Sequence, residues 1–126
     1  MKKLLFTILL IIFYVSCINV WGETISPKDL VRSNGTAYKK ISNVPFTGLV
    51  YGINKNGFLT KTIYEKGKRE GISKIYHENG QISLQATYKN DQPNGLWQWY
   101  DKNGRLTYKA TYKSGKRVKK TAFIDK

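Results

Sequence analysis

The sequence predicts an all-β fold: an elongated, single-layer antiparallel β-meander, repeat-built from consecutive hairpins. Three observations predict it. Landmark residues return after 24 positions, each block alternates apolar and polar residues, and Asn-Gly pairs punctuate the alternating runs. A period of two places every second side chain on one face, which is a half-buried strand and not a helix.

Met1-Lys2-Lys3 is a short positive region, and a twelve-residue apolar run follows from Leu4 to Val15. As a helix, twelve residues cover only about 18 Å against the roughly 30 Å of a bilayer core, so the run reads as a secretion signal and not a span. Residues 1–22 are therefore expected to be a signal peptide, and the mature protein to be periplasmic or extracellular. Two processing sites compete. Val20-Trp21-Gly22 offers cleavage before Glu23, whereas Val15-Ser16-Cys17 resembles a bacterial lipobox in which Cys17 is lipidated and anchors the chain to a membrane. Tyr14 stands where a lipobox carries a small aliphatic residue. A single cysteine excludes an internal disulfide framework and a cysteine-built zinc site.

Residues 23–43 read as a lead-in. Glu23 to Arg32 is a short extended or one-turn segment, and Asn34-Gly35 with Tyr38 and Ile41 marks a degenerate first hairpin. Residues 44–126 form the repeat domain. Within it Gly71, Tyr76, Asn79, Gly80, Ile82, Ala86, Tyr88 and Lys89 return as Gly95, Tyr100, Asn103, Gly104, Leu106, Ala110, Tyr112 and Lys113. Ile82, Leu84, Ala86 and Tyr88 share one strand face, as do Leu106, Tyr108, Ala110 and Tyr112. Asn79-Gly80 and Asn103-Gly104 supply the structural turns, either as type I′ or as type I closed by a left-handed glycine. An earlier copy runs from Gly48 through Asn56-Gly57 and Leu59 to Tyr64 but lacks one residue between Leu59 and Tyr64. A bulge or register change is expected there, since a one-residue slip exchanges the faces. Val118 to Ile124 reads as the opening strand of a further copy. In all, six or seven strands are expected between residues 44 and 124.

Gly95, Trp97, Tyr100, Asn103, Gly104 and Leu106, followed by Tyr112-Lys113, resemble the MORN repeat variant, whose bacterial members are commonly labelled YwqK-like antitoxins. Pro45-Phe46-Thr47-Gly48 resembles the opening of such chains. The middle copy departs, with Ile72-Ser73 in place of Leu-Trp, and loses any contact that needs the tryptophan. The resemblance implies a protein-binding or membrane-associated role and does not imply an enzyme; no catalytic residue and no cofactor are expected.

The residue inventory agrees. One His, one Cys and scattered carboxylates supply no hydrolytic, redox or metal centre. The formal charge is +14 from 22 basic and 8 acidic residues, and Asp125 is the sole acid after Asp101. The candidate interaction patch comprises Trp97, Trp99, Lys113, Lys116, Arg117, Lys119 and Lys120. The tryptophans serve either as an anchor for a partner or as core for a thin sheet. The lysines either hold an anionic partner or guard an open edge. The partners expected are another protein, in antitoxin fashion a toxin, or an anionic envelope surface; an exported protein seldom meets nucleic acid. His77, Glu65, Glu70 and Glu78 read as solvent-facing loop residues.

Overall fold

Two kinds of turn alternate along the chain, and their chemistry sets where the strands of the meander stop. The computed structural model describes residues 22–123. Its strands are β1 (Glu23–Ile25), β2 (Leu30–Ser33), β3 (Thr36–Lys39), β4 (Gly48–Ile53), β5 (Leu59–Glu65), β6 (Lys68–Tyr76), β7 (Ile82–Lys89), β8 (Gln92–Tyr100), β9 (Leu106–Lys113) and β10 (Lys116–Ala122), with one 3-10 turn at Pro27–Asp29. The signal-peptide and Cys17 readings lie outside the described residues.

At one end of the sheet the turns are two residues long. Asn34-Gly35, Lys66-Gly67, Asn90-Asp91 and Ser114-Gly115 each have both central φ angles positive, the backbone of a type I′ turn whose twist matches paired strands. At the other end only the glycine is left-handed, with φ of 86° at Gly57, 85° at Gly80 and 82° at Gly104. Of the two forms open to the Asn-Gly pairs, the type I turn closed by a left-handed glycine is adopted. The same bonds recur in each: His77 N–H to the Gln81 carbonyl at 2.8 Å matches Asp101 N–H to that of Arg105 at 2.9 Å.

Eight strands form one sheet in the order β1-β4-β5-β6-β7-β8-β9-β10, so the seven strands from β4 onward are the expected meander. Two features depart from a plain antiparallel single layer. β1 pairs with β4 in parallel, making the sheet mixed. β2 and β3 form a separate hairpin that packs on the sheet, because Ala37, with no exposed surface, joins Ile25, Phe46, Val50 and Tyr64 in the only cluster of buried apolar residues among those described. The Ala37 N–H donates to the Gly67 carbonyl at 2.9 Å and the Phe46 N–H to the Ala37 carbonyl at 2.8 Å. Ile41 falls outside the hairpin and is fully exposed.

Cross-strand partners share a face. One row runs Ile25, Val50, Thr62, Ser73, Ala86, Trp97, Ala110, Lys120; the row beside it on the other face runs Tyr51, Lys61, Lys74, Gln85, Gln98, Lys109, Thr121. The first face is apolar and aromatic, the second cationic and polar.

The residue missing from the first copy is explained by the pairing. In β6–β7 and β8–β9 the register shifts because Ser83 and Thr107 are extra residues with no cross-strand partner. The β4–β5 pairing is regular from Gly48–Tyr64 to Ile53–Leu59. The shorter copy thus lacks the bulge residue itself. A register shift does lie at Thr62/Tyr64, but it belongs to the β5–β6 pairing and recurs in β7–β8 at Ala86/Tyr88. In both cases the extra residues surround a left-handed glycine, Gly71 or Gly95.

Candidate functional site

The candidate residues gather on β8, β9 and β10. Leu96, Trp97, Gln98 and Trp99 alternate on a regular strand, so Trp97 and Trp99 share the aromatic face. Trp97 is the hub, with ring centroids 5.2 Å from Tyr88, 5.1 Å from Tyr112 and 5.7 Å from Trp99. Its indole N–H donates to the Thr87 carbonyl at 3.0 Å. Ala86 and Ala110 flank it across the strands, are 2% and 1% exposed, and leave room for the indole. Trp99 packs edge-on to Tyr108 at 4.9 Å. The five rings are tilted against each other and half-buried, so they form a continuous aromatic band across the sheet.

The 24-residue spacing explains where the band ends. Ser73 occupies the place of Trp97 in the middle copy, and its hydroxyl bonds that of Thr62 at 2.5 Å. Arg69 fills the vacated space by lying over the Tyr88 ring at 4.1 Å. Burial pushes the Tyr88 phenol up, against the opposing charge of Arg69. Asp91 binds that guanidinium at 2.6 Å and also grips Arg32 through two bonds of 2.9 and 3.0 Å. Burial of the Asp91 carboxyl opposes ionisation, but the hydrogen bonds from both arginines outweigh it and hold the group well below the usual carboxylate range. The bond to Asp91 likewise raises Arg32.

The basic candidates divide among three places. Lys113 and Lys116 flank the Ser114-Gly115 turn. Arg117 and Lys120 pair with Tyr112 and Ala110 on the aromatic face, and Arg117 donates to the Tyr108 hydroxyl at 3.3 Å. Lys119 pairs with Thr111 on the opposite face. Among the described residues, none of Lys113, Lys116, Lys119 and Lys120 makes an ion pair, and all four are exposed.

β10 does not continue the repeat's register. Lys119 stands where Gly71 and Gly95 form their bulges and has no positive φ, so β10 accommodates only a one-residue bulge at Val118. Ala110 therefore faces Lys120, whereas Ala86 faces Trp97, the counterpart of Thr121. The slip puts Thr121 and Phe123 on the cationic face, where Lys109 lies 5.5 Å from the Phe123 ring. On the aromatic face Lys120, opposite Ala110, stands where the band would otherwise continue.

Residues 69–90 and 93–114 match the family model of the MORN repeat variant. The two MORN-variant segments span β6–β7 and β8–β9, each one strand pair with its Asn-Gly turn. Searches of curated proteins and of solved structures gave no match.

Successive hairpins of the sheet, the two matched segments among them, are tied together by contacts that a reading of single residues missed. The N–H groups of Gly67, Asp91 and Gly115 donate to the carbonyls of Phe46, Arg69 and Pro93. The N–H groups of Lys66, Asn90 and Ser114 donate to side-chain oxygens of Thr47, Glu70 and Asn94. Glu70 is thus a turn acceptor and not a merely solvated carboxylate. The signal was present: each acceptor directly precedes the glycine that opens a copy. His77 is likewise not free in solvent, since its Nε2 bonds the Tyr100 carbonyl at 2.8 Å in the next copy. Beside it Asn79 donates to the Lys102 carbonyl at 2.6 Å. Open clefts between successive turns are lined by Glu65, Lys66, Lys68, Glu70 and Asn90, and by Lys89, Asn90, Gln92, Asn94 and Ser114. Their groups are largely engaged in these turn contacts.

Proposed function

We propose that the protein is an exported, non-enzymatic binding module that presents the β8–β10 end of its sheet to an acidic partner protein, in the manner of an antitoxin or immunity protein. The observation that carries this reading is the juxtaposition on one short stretch of sheet of the Trp97 aromatic band with Arg117 and Lys120, beside lysines that have no acidic partner among the described residues. Exposed cations of this kind attract an anionic surface and set the salt dependence of encounter. The two MORN-variant segments supply a rigid support for such a surface.

A pull-down from the envelope fraction of the exporting cell, washed at low and high salt, tests the reading. Replacing Lys113, Lys116, Lys119 and Lys120 with Gln should remove the salt-sensitive capture, since screening acts over about 8 Å at physiological ionic strength. Capture that survives these changes and also Trp97→Ala and Trp99→Ala places the binding elsewhere. A second reading rests on Cys17: an envelope-associated lipoprotein held by its acyl chains and basic surface. Mass spectrometry of the mature N-terminus separates the two, a diacylated Cys17 favouring the envelope reading and a Glu23 start favouring the soluble binder.

A further inference from the structure

The open edge of β10 has the features of a strand acceptor with a chosen charge. Phe123 donates its N–H to the Thr107 carbonyl at 2.8 Å, so by antiparallel alternation Lys119 and Thr121 also point their backbone groups at β9. Lys120 and Ala122 then direct N–H and C=O away from the sheet, and no described strand lies beyond them. In each preceding copy the strand in this position is paired on both sides, β6 by β5 and β7, and β8 by β7 and β9. The Lys119 register slip leaves the edge cationic, with Lys119 and Lys120 on opposite faces and Lys116 and Arg117 beside them.

We infer that this edge takes an extended acidic segment of a partner protein as an added strand. The inference rests on the binding-module reading above and specifies its mode. Main-chain bonds to Lys120 and Ala122 give the segment its alignment, while carboxylates opposite Lys119 and Lys120 give it its identity, one on each face. Charge selects the occupant. A second copy of this chain, pairing edge to edge, would set Lys116, Arg117, Lys119 and Lys120 against the same four cations, which is the usual means by which lysine-bearing edges resist self-association. An acidic strand turns the same residues into attraction.

The test uses the full chain and three synthetic octapeptides. One carries two Glu-Glu pairs among Val and Thr, so that carboxylates stand on both faces of the extended strand; one has the same charge but Pro at one odd and one even position, so that each strand edge loses a donor; and one has Lys in place of Glu. Proline is tolerated on an edge strand where its missing N–H faces solvent, so Ala122→Pro blocks the edge and leaves the β9-facing bonds of β10 intact. The wild type should bind the Glu-pair peptide at least tenfold more tightly than either of the others, and Ala122→Pro should lose at least tenfold, with an unchanged melting temperature. Lys119→Gln with Lys120→Gln should weaken binding in a salt-dependent way. Equal binding of the two acidic peptides by the wild type overturns strand addition, whether or not Ala122→Pro folds, and leaves the cationic surface of the broader reading standing. Undiminished binding by a folded Ala122→Pro does the same. Failure of the wild type to bind either acidic peptide overturns strand addition and the electrostatic form of the broader reading together.

Discussion

Asp91 and Arg32, 59 residues apart in sequence, meet in a two-point ion pair, Nη1 to Oδ2 at 2.9 Å and Nη2 to Oδ1 at 3.0 Å. The pair fastens the β2–β3 hairpin to the repeat sheet. Asp91 does this from a left-handed backbone position, φ +69°, where the other type I′ turns carry Gly35, Gly67 and Gly115. A non-glycine residue there is strained by about 1 kcal/mol or more. The carboxylate offsets that strain by holding Arg69 as well.

Asp91→Gly should therefore destabilise the protein although it relieves the backbone, and Arg32→Ala in that background should cost almost nothing further. In the wild type Arg32→Ala should cost about 1 kcal/mol, a modest value because the Arg32 side chain is 40% exposed. A double-mutant cycle by denaturant unfolding reads the coupling. Additive losses would show that Asp91 acts through the turn alone.

The same pair predicts an acid-labile contribution to stability. Asp91 titrates lower in the folded than in the unfolded chain, so its contribution is complete above about pH 4 and is lost as pH falls toward the depressed folded value. As pH falls from about 5 to about 2, the wild type should lose more stability than Asp91→Asn. Parallel melting curves across that range would contradict it.

Trp97→Ala should cost more than Trp99→Ala, roughly 3 against 2 kcal/mol, because Trp97 touches three rings and bonds a backbone carbonyl while Trp99 touches two. Urea midpoints at constant m measure the difference. The reverse order would move the hub of the band to Trp99.

Gly80→Val and Gly104→Val should each destabilise by about 1 to 2 kcal/mol from backbone strain, well above Gln92→Ala in the exposed edge of a turn. Gly104→Val should be only slightly the worse, since a Cβ there meets the far end of the exposed, flexible Gln81 side chain, which can move aside, whereas the space around Gly80 is open. Adding Gln81→Ala should bring the two variants together; a difference that persists in Gln81→Ala would have another origin.

Deleting Ser83 should be tolerated, with β6–β7 taking the regular pairing seen in β4–β5. Deleting Gln98 should be severe, because it places Trp97 and Trp99 on opposite faces. Comparable melting temperatures for the two deletions would mean that Ser83 is not a spare residue.

The local features were legible in the sequence because they depend on near neighbours. Period-two alternation determined that Leu84, Ala86 and Tyr88 share a face, as do Tyr108, Ala110 and Tyr112. It also placed Ile82 and Leu106 on that face, whereas the extra residues Ser83 and Thr107 shift them to pair with Tyr76 and Tyr100 on the other. The 24-residue spacing determined the number of hairpins, and Asn79-Gly80 and Asn103-Gly104 determined where strands turn. The missing residue of the first copy was visible as a gap, but its meaning was not, because a bulge is a property of two paired strands and Ser83 is extra only relative to β6. Tertiary structure alone decided the rest. The parallel β1, the seat of the β2–β3 hairpin and the Asp91 clamp all join residues far apart in the chain, and no periodicity encodes which arginine a carboxylate will meet. The division of the C-terminal cations between two faces was likewise hidden. It follows from Lys119 replacing a bulge glycine, a change of one residue whose effect on register appears only when β10 is paired with β9.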